Sequence, residues 1–233
     1  MTTFCTVLGG LLRRDAARPL VTFYDHASGE RTELSVTTYA NWVAKTAGLL
    51  ADEYDLERGQ MIRIDLPKHW LGPVFLGAAW TVGLTVTFDD DADAYVCGAD
   101  SLPSHAGRDG VVLATALQPL GTRFVDPLPP DVHDYGLEVW AQPDAWVPVD
   151  PPGPQDLAVG GTSHQELWTA AAAGSVLTDG GRVLSEENPA SPSGLPSFTE
   201  PLVRRGSLVL VAHADPVRLQ TTYDTERATA RFP

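Results

Sequence analysis

Lysine is nearly absent from this chain. Only Lys45 and Lys68 occur among sixteen basic residues in 233, the rest being arginine. Cysteine is as scarce: Cys5 and Cys97 stand alone with no CxxC pair, which excludes a disulfide framework and fits a reducing cytoplasm. Positive charge is short overall. Thirty acidic residues against sixteen basic leave a formal charge of −14. Such a surface repels nucleic acid and anionic membranes, so neither is expected as a partner, and its plain meaning is solubility. No apolar run approaches the span of a bilayer. The opening "MTTFCTVLGGLLRRDAARP" places its arginines after a short apolar stretch, the reverse of a secretory signal. No HExxH occurs, and no two of the six histidines have the spacing of helical metal ligands. The acidic run Asp89-Asp90-Asp91-Ala92-Asp93 lacks the glycine and terminal glutamate of a calcium loop and reads as a solvated turn. No metal site and no catalytic residue is assigned.

What is present is alternation. "LVTFYDHASGERTEL" predicts a hairpin turning at Ser28-Gly29. After Ser35 as N-cap, Tyr39, Trp42, Val43, Thr46, Ala47, Leu50 and Tyr54 fall at helical spacing. "MIRIDL" is a strand, "HWLGPVFLGAAWTVGL" an apolar helix, and "TVTF", "AYVCG" and "VVLATAL" are further strands. From Asp126 to Pro154 eight prolines make long regular elements unfavourable, with at most a short helix in "DVHDYGLEVWA". Trp140 and Trp146 favour a packed loop there over a free linker. Strand "DLAV", helix "SHQELWTAAAAG", strand "GRVLS", helix "LPSFTEPLVRRG" broken by Pro201, strand "SLVLVAH", a helix from Asp215-Pro216 and strand "TARF" complete the chain. The reading is an α/β fold with a largely parallel sheet flanked by helices. It forms one domain over 1–233, or two lobes, 1–125 and 155–233, joined by the proline-rich segment 126–154.

Three stretches together resemble the first part of the large domain of acyl-adenylate-forming enzymes, the superfamily of acyl-CoA synthetases, peptide-synthetase adenylation domains and luciferases. "TELSVTTYANWVAKTAGLLADEYDLERGQMIRIDLPKHWLGPVFLGAAWTVGLTVT" is similar to that family's "LTYxEL", helix, "GVxxGDRV", strand, "PN" and "GAxxAGAVVVP" succession, with Gln60 and Lys68 where Asp and Asn are usual. "TSHQELW" resembles the "SHxxL" after the family's phosphate loop. The stretch from "GRVLS" to "TARFP" tracks the family's next strand, helix, "GAxxVL" strand and "DPxxxL" helix.

In that family the loop before "SHxxL" is rich in Gly, Ser and Thr and carries a lysine, as in "TSGTTGxPKGV". Adenylation expels pyrophosphate from ATP, so backbone N–H groups and hydroxyls must hold negative charge, and glycine lets the backbone approach closely. Here only Gly160, Gly161 and Thr162 separate Val159 from Ser163, and the lysine is gone. Gly160, Gly161, Thr162 and Ser163 are the candidate remnant of the phosphate loop. The quoted sequence also stops before the family's adenine and ribose motifs and its C-terminal catalytic lysine. The resemblance thus implies a non-catalytic remnant, with no cofactor expected, acting as a structural, interaction or small-ligand-binding protein. The surface that truncation uncovers predicts a homodimer or a covering partner protein. The alternative is AMP-binding synthetase or ligase-like activity, with ATP or AMP as ligand and a second polypeptide supplying the missing groups. A binding module unrelated to adenylation is the third reading.

Other constellations are weaker. Gly161-Thr162-Ser163-His164-Gln165 lacks the second glycine of GxSxG, and Ser163 followed by Glu166 reads first as a capping box. His213 and Pro67-Lys68-His69 fall at strand ends, where α/β folds place ligands. Arg204 and Arg205 read as helix C-terminal charge before they read as a phosphate site.

Overall fold

The computed structural model describes residues 2–119 and 122–232. A helix the periodicity did not mark opens the chain: α1, Phe4–Asp15, with Thr3 and Thr6 exchanging bonds in a capping box. Its buried face is Phe4, Leu8 and Leu11, a short apolar stripe that the glycine pair Gly9-Gly10 obscures in sequence. The predicted hairpin follows as β1 (Pro19–Asp25) and β2 (Arg31–Ser35), antiparallel, with Gly29 at φ +83° in the turn. Ser35 caps α2 (Val36–Gly48) by accepting from the Thr38 N–H, and a π-helical turn, Leu49–Glu53, extends it.

The βαβ alternation continues with β3 (Met61–Asp65), α3 (Leu71–Val82), β4 (Thr85–Thr87), β5 (Ala94–Gly98), the short α4 (Leu102–His105) and β6 (Val111–Thr115). The proline-rich stretch contributes β7 (Val132–Asp134) and a single helical turn, α5 (Tyr135–Glu138). Then come β8 (Leu157–Val159), β9 (Thr162–Ser163), α6 (His164–Ala173), β10 (Arg182–Ser185), α7 (Pro196–Val203), β11 (Ser207–Ala212), α8 (Pro216–Thr225) and β12 (Ala230–Arg231). Pro201 does not break α7. In a helix of two turns its missing N–H forgoes one bond, while its own carbonyl still accepts from the Gly206 N–H.

The strands form two sheets, in the orders β12-β10-β11-β1-β2 and β7-β6-β5-β3-β4-β8-β9. All neighbours are parallel except β1 with β2 and β8 with β9. The first sheet joins the two ends of the sequence, with Val21 to Asp25 registered on Leu208 to Ala212. The proline-rich segment therefore does not divide the sheets, since β8, beyond it, pairs with β4 before it. The segment packs on α2 and its π turn. Trp146 donates to Asp52 at 2.8 Å, Gln142 to Glu53 at 3.1 Å, and Lys45 pairs with Asp144 at 3.1 Å.

Alternation along the strands sorts side chains into layers. Val183, Leu208 and Leu210 join Ile62, Ile64, Val86 and Val96 in one core between the sheets, which also takes the apolar faces of α1, α2, α3, α6 and α7. Leu184, Val209 and Val211 face the other way, under α8, and Tyr95, Cys97, Val112 and Ala114 pack beside α4. All twelve residues of α3 are buried, which explains its apolar character on every side.

Close packing of α2 on α3 depends on Gly77. A Cβ there would overlap the Tyr39 hydroxyl and lie 2.8 Å from Val43 and 2.9 Å from Phe4. Tyr39 is held in place by its bond to the Pro73 carbonyl at 2.9 Å. Gly77→Ala should therefore lower stability by about 1–3 kcal/mol through overpacking. Helix propensity alone predicts a gain of up to about 1 kcal/mol, so the sign of the shift in urea midpoint decides between them.

Candidate functional site

The stretch where the resemblance expects a phosphate loop is a two-residue β-turn. Val159 and Thr162 are paired across the antiparallel β8–β9 ladder, leaving Gly160 and Gly161 as the whole connection. Gly160 takes φ +51°, the left-handed region such a turn needs. Its N–H donates to the Val86 carbonyl at 2.8 Å, which ties the turn to β4.

The helix behind the turn has spent its free donors. Ser163 and Glu166 form the capping box: the Ser163 N–H and hydroxyl both reach Glu166 Oε2, at 2.9 and 2.7 Å, and the Glu166 N–H returns to Ser163 Oγ at 3.3 Å. The His164 N–H donates to the Asp156 carbonyl and the Gln165 N–H to the Pro154 carbonyl, at 2.9 and 2.8 Å. A helix N-terminus attracts anions through unpaired N–H groups and its dipole. Here the anionic partner is the protein's own Glu166, whose hydrogen bonds from Ser163 hold its carboxyl below the usual range. Of the four candidate residues, Ser163 is a cap, Gly160 is the turn, and Gly161 and Thr162 are exposed.

The side chains around this turn are structural. His164 is fully buried, both ring nitrogens lack a partner among the described residues, and burial pushes its pKa down. Trp168, one turn on, packs on Trp80 at 5.5 Å and on Phe4 at 6.2 Å. Lys45, in the last turn of α2, is committed elsewhere, to Asp144 and to the Gln142 carbonyl.

The strand ends give a second candidate region. Between the carboxyl ends of β3 and β5 the chain switches direction across the sheet, the usual place for a ligand in such folds. A crevice of about 450 Å³ lies there, lined by Asp65, Leu66, Pro67, Gly98, Ser101 and Leu117 among others. His105 Nε2 meets Asp65 Oδ2 at 2.7 Å, and the Ser101 hydroxyl donates to the Asp65 carbonyl at 2.8 Å. The other strand-end residues do not converge on it. His69 is buried against Phe23 and Trp70, its Nδ1 accepts from the Leu71 N–H, and burial brings its pKa down to about 3. His213 is exposed on the other sheet and bonds Asp25 at 2.8 Å. Burial opposes ionisation of Asp25, yet bonds from Ser28, His213 and the Ala27 N–H bring its carboxyl to about 2. The acidic run is also engaged from within: Arg63 and Arg108 take Asp90, and Asp93 accepts the Met61 N–H at 2.7 Å.

No family model matches this sequence. The sequence is 38% identical to the "TIGR03089 family protein" of Mycobacterium tuberculosis over 244 aligned positions, which take in 98% of this chain and 99% of that one. Among solved structures, an acyl-CoA synthetase of Brucella canis superposes with a TM-score of 0.81 at 18% identity, over 99% of this chain and 47% of the synthetase. Coronafacic acid ligase of Pectobacterium brasiliense gives 0.77 at 12% identity, over 97% and 49%. The chain spans about half the length of both solved structures. The mostly parallel α/β fold expected from the resemblance is thus the fold found, shared with an acyl-CoA synthetase. No helix among the described residues is long and apolar enough to cross a membrane.

Proposed function

The chain belongs to the TIGR03089 family, and from that premise we propose that it is a non-catalytic protein built on the acyl-CoA synthetase fold, serving in binding or assembly. The observation that carries this reading is the hairpin at 159–163. Activating a carboxylate with ATP requires free donors around the phosphates and a cation against the developing charge. At this position the turn has two residues, the adjoining N–H groups are already paired, and the nearest charged group of the cap is Glu166. A triphosphate brought to this helix end would meet a carboxylate in place of a lysine. The reading carries with it a cytoplasmic location, no nucleotide cofactor, and a small ligand, a second copy or another protein as partner.

ATP–pyrophosphate exchange by the purified chain, across aliphatic and aromatic carboxylic acids, tests the proposal. The expected rate is that of the enzyme-free blank with every acid. Acid-dependent exchange above that blank would overturn it.

A further inference from the structure

The arginines of this acidic protein are unevenly used. Arg31, Arg58, Arg63, Arg108, Arg182 and Arg204 each pair with a carboxylate. Arg13, Arg14 and Arg205 make no side-chain hydrogen bond or ion pair with any described residue. They come from opposite ends of the sequence, yet all three line one groove of about 460 Å³ between α1 and α7. Its lining is otherwise apolar or small: Val7, Leu11, Leu202 and Val203, with Thr6 and Gly10. Leu11 and Leu202 are buried and form its floor.

An adjoining cavity of about 280 Å³ shares Leu11, Arg14 and Arg205 and adds Arg18, Asp15 and Asp179. Arg18 donates through Nη1 to the Arg205 carbonyl, and its buried Nη2 has no partner among the described residues. Asp179 is turned to Arg204, at 3.5 Å. Two helix C-termini meet at this place, and their dipoles account for part of the positive charge. Each end carries about half a negative charge, so three arginines exceed what the dipoles need.

Gly10 is the second, independent observation. Glycine inside a helix costs about 1 kcal/mol relative to alanine. At Gly77 the cost is explained, because a Cβ would collide with its neighbours. At Gly10 a Cβ would meet nothing within 4 Å. Packing within the chain therefore does not call for glycine there, and its effect is to leave the groove open.

We propose that this groove binds a small amphiphile with a phosphate-type head and a compact apolar body. The head would sit among Arg13, Arg14 and Arg205, whose forked donors match phosphate oxygens. The body would lie on Val7, Leu11 and Leu202 in the space Gly10 leaves. Affinity comes from both parts, so neither inorganic phosphate nor a neutral apolar molecule should suffice. The inference goes beyond the reading of the hairpin and stands apart from it. The exchange assay probes residues 159–163 and the following test probes α1 and α7, so either can fail alone.

The test is an amide-resolved NMR titration of the full chain at constant ionic strength, with phenyl phosphate as probe and inorganic phosphate, benzoate and phenol as comparators. Phenyl phosphate should give saturable shifts at Gly10, Leu11, Val203 and Arg205, at least about fivefold tighter than inorganic phosphate. Benzoate should bind more weakly and phenol not at all. Arg14→Gln with Arg205→Gln should weaken binding by about tenfold or more, whereas Arg123→Gln, an exposed arginine elsewhere, should leave it unchanged. Gly10→Leu should block the groove while raising the melting temperature, which separates loss of the site from loss of the fold. The proposal is overturned if shifts do not saturate, if Arg123→Gln matches the double variant, or if Gly10→Leu binds like the parent.

Discussion

Trp80→Ala lowers the free energy of unfolding by about 3–5 kcal/mol, the range for deleting a large buried aromatic side chain. Trp80 is wholly buried on α3 and is the joint through which three other elements meet. It packs on Phe4 of α1 at 5.6 Å and on Trp168 of α6 at 5.5 Å. Its indole N–H donates to the Ala158 carbonyl of β8 at 3.0 Å. Truncation leaves a cavity among rings that cannot all collapse, and leaves that carbonyl without its partner. Trp80→Phe keeps most of the packing and loses the bond, so it should cost no more than about half as much. Urea unfolding of the three proteins at an unchanged m-value checks both. A loss below about 1 kcal/mol for Trp80→Ala would mean that the core is not organised around α3. The same bond gives the hairpin a structural task, because Ala158 stands two residues before the Gly160-Gly161 turn.

Acidification from pH 7 to pH 4 destabilises the protein before most carboxylates titrate. His69 is neutral when folded, with a pKa near 3 because burial disfavours its cation. An unfolded histidine titrates at about 6.5. Between those values the unfolded chain holds one more proton than the folded one, so stability rises with pH and is lost as pH falls below about 6.5. The slope is about 1.4 kcal/mol per pH unit, or about 5 kcal/mol over the whole window. His164, also depressed by burial, adds to the upper part of that slope. Asn at position 69 keeps an acceptor for the Leu71 N–H and cannot titrate. His69→Asn should therefore flatten urea-derived stability between pH 6 and pH 4.5 by about 2 kcal/mol relative to the parent. Parallel pH profiles for parent and variant would contradict the assignment.

Most of the order of elements was legible from side chains: alternation along β3, a continuous apolar run in β11 and helical spacing along α2. The division into two sheets was not. It rests on β1 pairing with β11 across nearly the whole chain, and neither strand carries a mark of its partner. Residues 4–15 were missed because two glycines interrupt a three-residue apolar stripe. Pro201 misled in the other direction, since a proline's cost depends on how many bonds the helix has to lose.

At the hairpin, loop length was the informative quantity. Three residues between a strand and a helix leave no room for a phosphate cradle, and Ser163 with Glu166 announced the cap in sequence. What sequence could not show is that the His164 and Gln165 N–H groups turn back to the carbonyls of Asp156 and Pro154. The arginine groove was illegible for a similar reason. Arg13, Arg14 and Arg205 are each ordinary helix-end charges until folding sets α1 beside α7.

We propose that the residues at 159–163 form a closed structural turn that does not receive phosphates. The most direct test follows the amide signals of Gly160, Gly161, Thr162 and Ser163 during titration with magnesium ATP and with AMP. These four signals are expected to stay in place at millimolar nucleotide. Saturable shifts confined to them, removed by Gly161→Val and unaffected by Arg14→Gln, would contradict it.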